Sequence, residues 1–202
     1  METEYAALTK RLELNQGLPY SPDWSAAADF LEIVVRYCLD HAPSFILECG
    51  SGVSTLMLSR CCQINGKGKV VSLEDGAPFA DRSRAYLERY GLDAYATVLH
   101  APLAPVRIDD VDYQWYRREA IPEGDIDMFV IDGPSGFIGK NARYPALPLM
   151  QPRLVKGCRV FLDDAARPDE REIVGLWQSH CAGLQHEYLD TARGCSVLTV
   201  CD

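Results

Sequence analysis

The sequence has no apolar run long enough to cross a bilayer. Its opening stretch, METEYAALTKRLELNQ, carries charges throughout where a signal peptide needs an apolar segment. These absences predict a soluble, cytoplasmic protein with no membrane partner. Positive charge is in deficit, 20 Lys and Arg against 29 Asp and Glu, a net charge of −9. Such a surface repels phosphate backbones, so no nucleic-acid partner is expected. Histidine is scarce, four residues in all, and His100, His180 and His186 show no paired spacing. There are eight cysteines, but none stands in a C-x-x-C pair and no two pairs have zinc-ribbon spacing. Several lie inside apolar runs such as FILEC and CRVFL, where a reduced thiol behaves as a small core residue. Internal repeats, low-complexity tracts and Gly/Ser linkers are lacking too, so the 202 residues read as one domain, 1–202.

What is present is alternation. Short β-branched or apolar runs are followed by helical patterns, the mark of a parallel sheet covered by helices on both faces. Residues 1–43 read as a helical N-terminal extension. Ser21-Pro22 looks like a helix start, and Phe30, Leu31, Val34, Val35 and Cys38 recur behind it at helical spacing. From residue 44 the core begins. Strands are expected at Phe45 to Cys49, Lys69 to Glu74, Tyr95 to His100, Ile126 to Asp132 and Cys158 to Asp163. Helices are expected at Val53 to Cys62, Phe79 to Tyr90, around Leu147 to Val155, and from Pro168. Ala101 to Asp125 reads as the least regular stretch. Leu184 to Asp190 and Cys195 to Cys201 alternate well on either side of Thr-Ala-Arg-Gly, which predicts an antiparallel hairpin at the end of the sheet.

The first strand runs into Glu48-Cys49-Gly50-Ser51-Gly52-Val53-Ser54-Thr55. Two close glycines between strand and helix let backbone approach a ligand at the carboxyl edge of a sheet, although a plain tight turn has the same look. Thr55 stands where a dinucleotide fingerprint needs its third glycine, which disfavours NAD. Glu48 lies inside the turn, where a carboxylate suits an ammonium group and repels a pyrophosphate. Glu74 ends the second strand, 22 residues after Gly52, placed to accept hydrogen bonds from ribose hydroxyls.

Ile46-Leu47-Glu48-Cys49-Gly50-Ser51-Gly52-Val53-Ser54-Thr55, followed by Val71-Ser72-Leu73-Glu74, resembles the first two motifs of class I S-adenosylmethionine-dependent methyltransferases. The resemblance spans roughly residues 44 to 201. It implies a Rossmann-like α/β fold with a seven-stranded, mostly parallel sheet, an antiparallel C-terminal strand and extra N-terminal helices. It implies S-adenosylmethionine held by Glu48, Gly50, Gly52, Ser54, Glu74 and Asp132, and methyl transfer to an oxygen of a small molecule. A non-catalytic S-adenosylmethionine-binding module serving a partner protein is the alternative. A homodimer is compatible with either. One departure concerns adenine, since His100-Ala101-Pro102 follows the third strand where the family often has an acid.

Asp132 ends the fourth strand, and Asp163 and Asp164 end the fifth. Three carboxylates at neighbouring tips repel one another unless solvated or bridged by a cation, and oxygen ligands suit Mg²⁺. Equally, Asp163 or Asp164 can cap the helix near Pro168. From Asp132 through Arg143-Tyr144 to Asp163-Asp164 the chain resembles the catechol O-methyltransferase branch, which implies magnesium on Asp132, Asp163 and Asp164. That branch places a basic lysine three residues beyond the first aspartate. Ser135 stands there in this chain, and Lys140 is the candidate to replace it, beside the plain reading of a surface lysine. Trp115 and Tyr116 either wall an acceptor pocket or anchor a long loop.

Overall fold

Strand β1 (Phe45–Cys49) lies inside the sheet, between β2 and β6, because apolar side chains on both of its faces require cover. Ile46 points to one side and Leu47 to the other, and both are fully buried. A computed structural model describes residues 4–117, 119 and 121–201. After β1 come α3 (Val53–Asn65), β2 (Lys69–Glu74), α4 (Ala77–Tyr90) and β3 (Ala96–His100). Next are β4 (Leu103–Ile108), β5 (Val111–Tyr116), β6 (Ile126–Ile131), α5 (Ala146–Met150) and β7 (Leu154–Leu162). The chain continues through α6 (Pro168–His180), β8 (Leu184–Leu189) and β9 (Cys195–Val200), while α1 (Ala6–Arg11) and α2 (Ala28–His41) precede β1.

The main sheet has seven strands in the order β3-β2-β1-β6-β7-β9-β8. The first five are mutually parallel, and β9 runs antiparallel to both β7 and β8. This is the expected Rossmann-like arrangement, with the C-terminal hairpin inserted beside the fifth parallel strand. Alternate strand residues feed two cores. Ile46, Val70, Met128 and Val130 pack with α2, α3 and α4, whereas Leu47, Val71, Phe129 and Ile131 pack with β5, α5 and α6. Each fully buried side chain of this size contributes about 1.5–3 kcal/mol. The sheet order reverses direction between β1 and β6, so the loops leaving their carboxyl ends part and leave a crevice.

Three expectations are corrected. Ser21-Pro22 does not start α2, which begins at Ala28 with an extended residue before it. The Ser25 hydroxyl accepts from the Ser21 amide at 2.9 Å and Asp23 has φ +64°, so side-chain bonding closes a turn instead. Ala101 to Asp125 is not irregular throughout, because β4 and β5 form a hairpin paired from Leu103–Tyr116 to Ile108–Val111. Its two-residue turn is Asp109-Asp110, both at positive φ. The helix around Leu147 ends at Met150, and β7 starts at Leu154, before Gly157. No helix among the described residues is long and apolar enough to cross a membrane.

Candidate active site

The crevice is a cavity of about 550 Å³. Its floor is the loop after β1. Gly50 has φ +90°, a left-handed conformation that glycine alone adopts without strain, and its amide donates to Leu73 O of β2 at 2.8 Å. Gly133, after β6, lies so close that a Cβ there would collide with the Tyr116 hydroxyl and stand 3.1 Å from the Gly50 nitrogen. Two backbones therefore meet at the cavity floor; the approach excludes a side chain at Gly133, and the backbone conformation favours glycine at Gly50.

Glu74, at the tip of β2, accepts from the Ser51 amide and hydroxyl, both at 2.8 Å, and from the Gly76 amide at 3.0 Å. Ser51 also shares a 2.9 Å hydrogen bond with Ser83 of α4. Burial raises the pKa of Glu74 while the Ser51 and Gly76 amides pull it back. Gly50, Ser51, Gly52, Ser54 and Glu74 all line the cavity.

Glu48 is placed differently from expectation. It is fully buried beneath the loop and stands outside the cavity wall. One carboxylate oxygen accepts from the Thr55 hydroxyl at 2.5 Å, and the same hydroxyl accepts from the Gly52 amide at 3.0 Å. Its other oxygen has no hydrogen-bond partner among the described residues. Burial pushes its pKa up to about 7, against the opposing hydrogen bonds of Ser54 and Thr55.

The other wall is built on carboxylates. Asp132, Asp163 and Asp164 each offer an oxygen, all within 4.8 Å of one another. The expected convergence of strand tips is present. What the sequence did not announce is the arginine running through it. Arg143, with its side chain 4% exposed, has Nη2 at 3.3 Å from Asp132 Oδ1 and 3.0 Å from Asp164 Oδ2. It also donates to the main-chain oxygens of Asp132 at 2.7 Å and Asp163 at 3.0 Å. Burial works against its charge, but Asp132, Asp164, Glu170 and Asp163 together hold its pKa above the ordinary value. Arg167 stands 2.8 Å from Asp164 Oδ2, and Arg193 stands 3.4 Å from Asp163 Oδ2. Neither Asp163 nor Asp164 caps α6, whose N-cap is Arg167 without a side-chain bond.

Burial raises the pKa of Asp132 well above the usual carboxylate range, Asp163 adds to the shift, and Arg143 opposes it. Burial and Asp164 push Asp163 up to about 6. Asp132 keeps part of its side chain on the cavity, and Asp164 lines it too.

Lys140 is not brought to this centre. Its side chain is 68% exposed and paired with Glu172 at 2.9 Å, outside the cavity lining. The loop after β6 forms a single 3-10 turn at Gly136–Ile138 and carries the lysine toward α6 instead. The two aromatics of β5 divide. Trp115 is an anchor in the second core, while the Tyr116 hydroxyl lies at the cavity floor, buried and without a hydrogen-bond partner among the described residues. Sequence reading missed the aromatic rim. Trp24 packs 6.5 Å from Phe79 and 6.3 Å from Phe137, which is 93% exposed, and all three line the cavity mouth.

A family model described as a methyltransferase domain matches residues 47–165, from β1 through the carboxylate centre. The chain belongs to that family. None of the curated proteins matches it. Among solved structures, this methyltransferase has the fold of the O-methyltransferase TomG from Streptomyces achromogenes, solved with SAM, at 15% identity and TM-score 0.68. That match covers 99% of this chain and 89% of the other. The O-methyltransferase from Bacillus cereus, solved with SAH, is 17% identical with TM-score 0.66, covering 99% and 91%. The SAH-bound methyltransferase PaMTH1 from Podospora anserina is 16% identical with TM-score 0.68, covering 100% and 97%.

Proposed function

We propose that this methyltransferase moves the methyl group of S-adenosylmethionine to an oxygen of a small molecule. The observation that carries the reading is one continuous cavity joining the glycine loop and Glu74 to the Asp132 wall. The cofactor fits the chain's own groups. Glu74, held by Ser51 and Gly76, is positioned for a ribose diol, and Gly52, with open space where a side chain would stand, leaves its backbone open to close approach. Glu48 acts one layer below, fixing Gly52 through Thr55. When bound, S-adenosylmethionine supplies a methyl group already activated by its sulfonium.

What remains for the protein is to align an acceptor and take its proton. Asp132 is the group suited to accept that proton. It reaches the cavity, and burial raises its proton affinity above that of an ordinary carboxylate. Lys140, tied to Glu172, has no part in it. Magnesium does not fit this centre, because the three aspartates already face guanidinium groups. The cavity runs on past Asp132 to Trp24, Phe137 and Arg193, giving an acceptor room that a cofactor-binding module does not require. Residues 1–43 serve as an extension that carries Trp24 to the mouth of a single 44–202 core. Eight free cysteines accord with a cytoplasmic site of action.

Calorimetric titration with S-adenosylhomocysteine tests the reading. Binding is expected, with none for NAD, and labelled methyl from S-adenosylmethionine should enter some member of a panel of hydroxylated acceptors. Binding of NAD with no heat from S-adenosylhomocysteine overturns it.

A further inference from the structure

We infer that Arg143 is the built-in cation of the carboxylate centre, standing among Asp132, Asp163 and Asp164 where a divalent metal would otherwise bind, so that this chain works without one. The three aspartates have the spacing that invites a metal, yet one oxygen of each already faces a guanidinium. Arg143 Nη2 serves Asp132 Oδ1 and Asp164 Oδ2 together, and Arg167 Nη1 stands 2.8 Å from that same Asp164 oxygen. Asp163 uses one oxygen to accept from the Asp164 amide at 2.8 Å and has the other facing Arg193. Magnesium needs ligand oxygens at about 2.0–2.1 Å in near-octahedral array. An ion touching Asp132 Oδ1 and Asp164 Oδ2 would press against the guanidinium that now joins them.

Arg143 has little freedom to leave. Its planar fork also satisfies the carbonyl oxygens of Asp132 and Asp163, with Pro134 O at 3.4 Å, and its side chain is almost wholly enclosed. Moving it aside would strand three buried acceptors as well as a buried charge. The charges are also nearly matched. Asp132, Asp163, Asp164 and Glu170 lie within ion-pair range of Arg143, Arg167 and Arg193. A divalent ion added to that set would tip it to net positive around an immovable guanidinium. By binding both the main-chain oxygen and Oδ1 of Asp132, Arg143 also acts as a positioning residue for the proposed proton acceptor.

The metal half of the inference stands independently of the methyl-transfer reading, and one protein preparation separates them. EDTA-treated wild-type protein is titrated with Mg²⁺ and Mn²⁺, read by thermal midpoint and by calorimetry, alongside Arg143→Gln and Arg143→Lys. The wild-type midpoint should not move in millimolar Mg²⁺. Arg143→Gln, left with uncompensated carboxylates, should gain a metal-dependent upward shift and bind Mn²⁺ at least tenfold more tightly than wild type. Arg143→Lys should suppress that gain, a pattern that simple loss of packing does not produce. A variant that folds only when Mg²⁺ is added counts as the same gain. Methylation by wild type should be unchanged in excess EDTA. A wild-type midpoint raised by Mg²⁺, a tenfold activity loss in EDTA restored by Mg²⁺, or an Arg143→Gln protein indifferent to metal overturns the inference. If Arg143→Gln does not fold at all, the wild-type titration decides alone. Failure to bind S-adenosylhomocysteine would sink the proposed function and leave the metal result standing.

Discussion

Asp132 owes its proton affinity to burial first and to Asp163 second, with Arg143 restraining both. A proton acceptor must begin ionised, so activity should climb as pH rises through this elevated pKa. The acid limb of the rate profile should therefore lie above the range of a solvated carboxylate. Asp132→Asn should lower turnover by about 10²–10⁴-fold and abolish that limb. Rates of labelled-methyl transfer from pH 5 to 9 check both points, and an unchanged limb in the variant refutes the assignment. Asp132, Gly50, Gly52 and Glu74 were legible in the sequence because each sits at the end of a recognisable strand, where chain order alone predicts convergence. Glu48 lies beneath the loop instead of on the cavity wall, and a linear motif does not reveal which side of a loop a carboxylate occupies. Arg143, Arg167 and Arg193 could not be assigned that way. They come from a loop, a helix cap and the β8–β9 turn, and only the folded chain brings them to the same acids.

The β4–β5 hairpin is the element that sequence reading lost. Asp109-Asp110 lacks the Asn-Gly or Asp-Gly signature of a tight hairpin turn, and Pro105 inside β4 argues against a strand unless that strand is an edge. The two-stranded pairing makes it one. The boundary of β7 was misplaced for a related reason, because Gly157 reads as a stop yet sits within a strand that shifts register near Ile126–Met128. The hairpin has a checkable role, since it delivers the Tyr116 hydroxyl against Gly133. Gly133→Ala should destabilise the protein by about 1–3 kcal/mol through overpacking. Tyr116→Phe in the same chain should recover part of that loss, because the nearest colliding atom is the hydroxyl itself. A double-mutant cycle by denaturant unfolding measures the coupling, and strict additivity would contradict the contact.

At the scale of the molecule, buried acids set how stability responds to pH. Glu48 keeps its proton in the folded state up to about 7, against 4.5 for the unfolded chain. Its stabilising contribution is thus complete below the unfolded value and disappears as pH rises through about 7, a change of roughly 3 kcal/mol. Asp163, raised to about 6, and Glu74 and Glu170, also raised, act in the same direction. The thermal midpoint should fall between pH 5 and pH 8, and Glu48→Gln should flatten the decline without abolishing it. An identical slope in the variant would assign the effect to other groups.

The sheet order carries a further consequence, one of time. β1 pairs with β6, so Ile46 lies beside Met128 although β2, β3 and the hairpin intervene in the chain. Closing so large a loop is slow and gains nothing until the strands meet. Gly50 and Asp132 leave the ends of that same pair, so neither half of the crevice exists before the central seam has zipped. A ligand that bridges them meets only chains that have completed this step. Its grip therefore acts as a brake on unfolding, lengthening the life of the native state rather than hastening its birth.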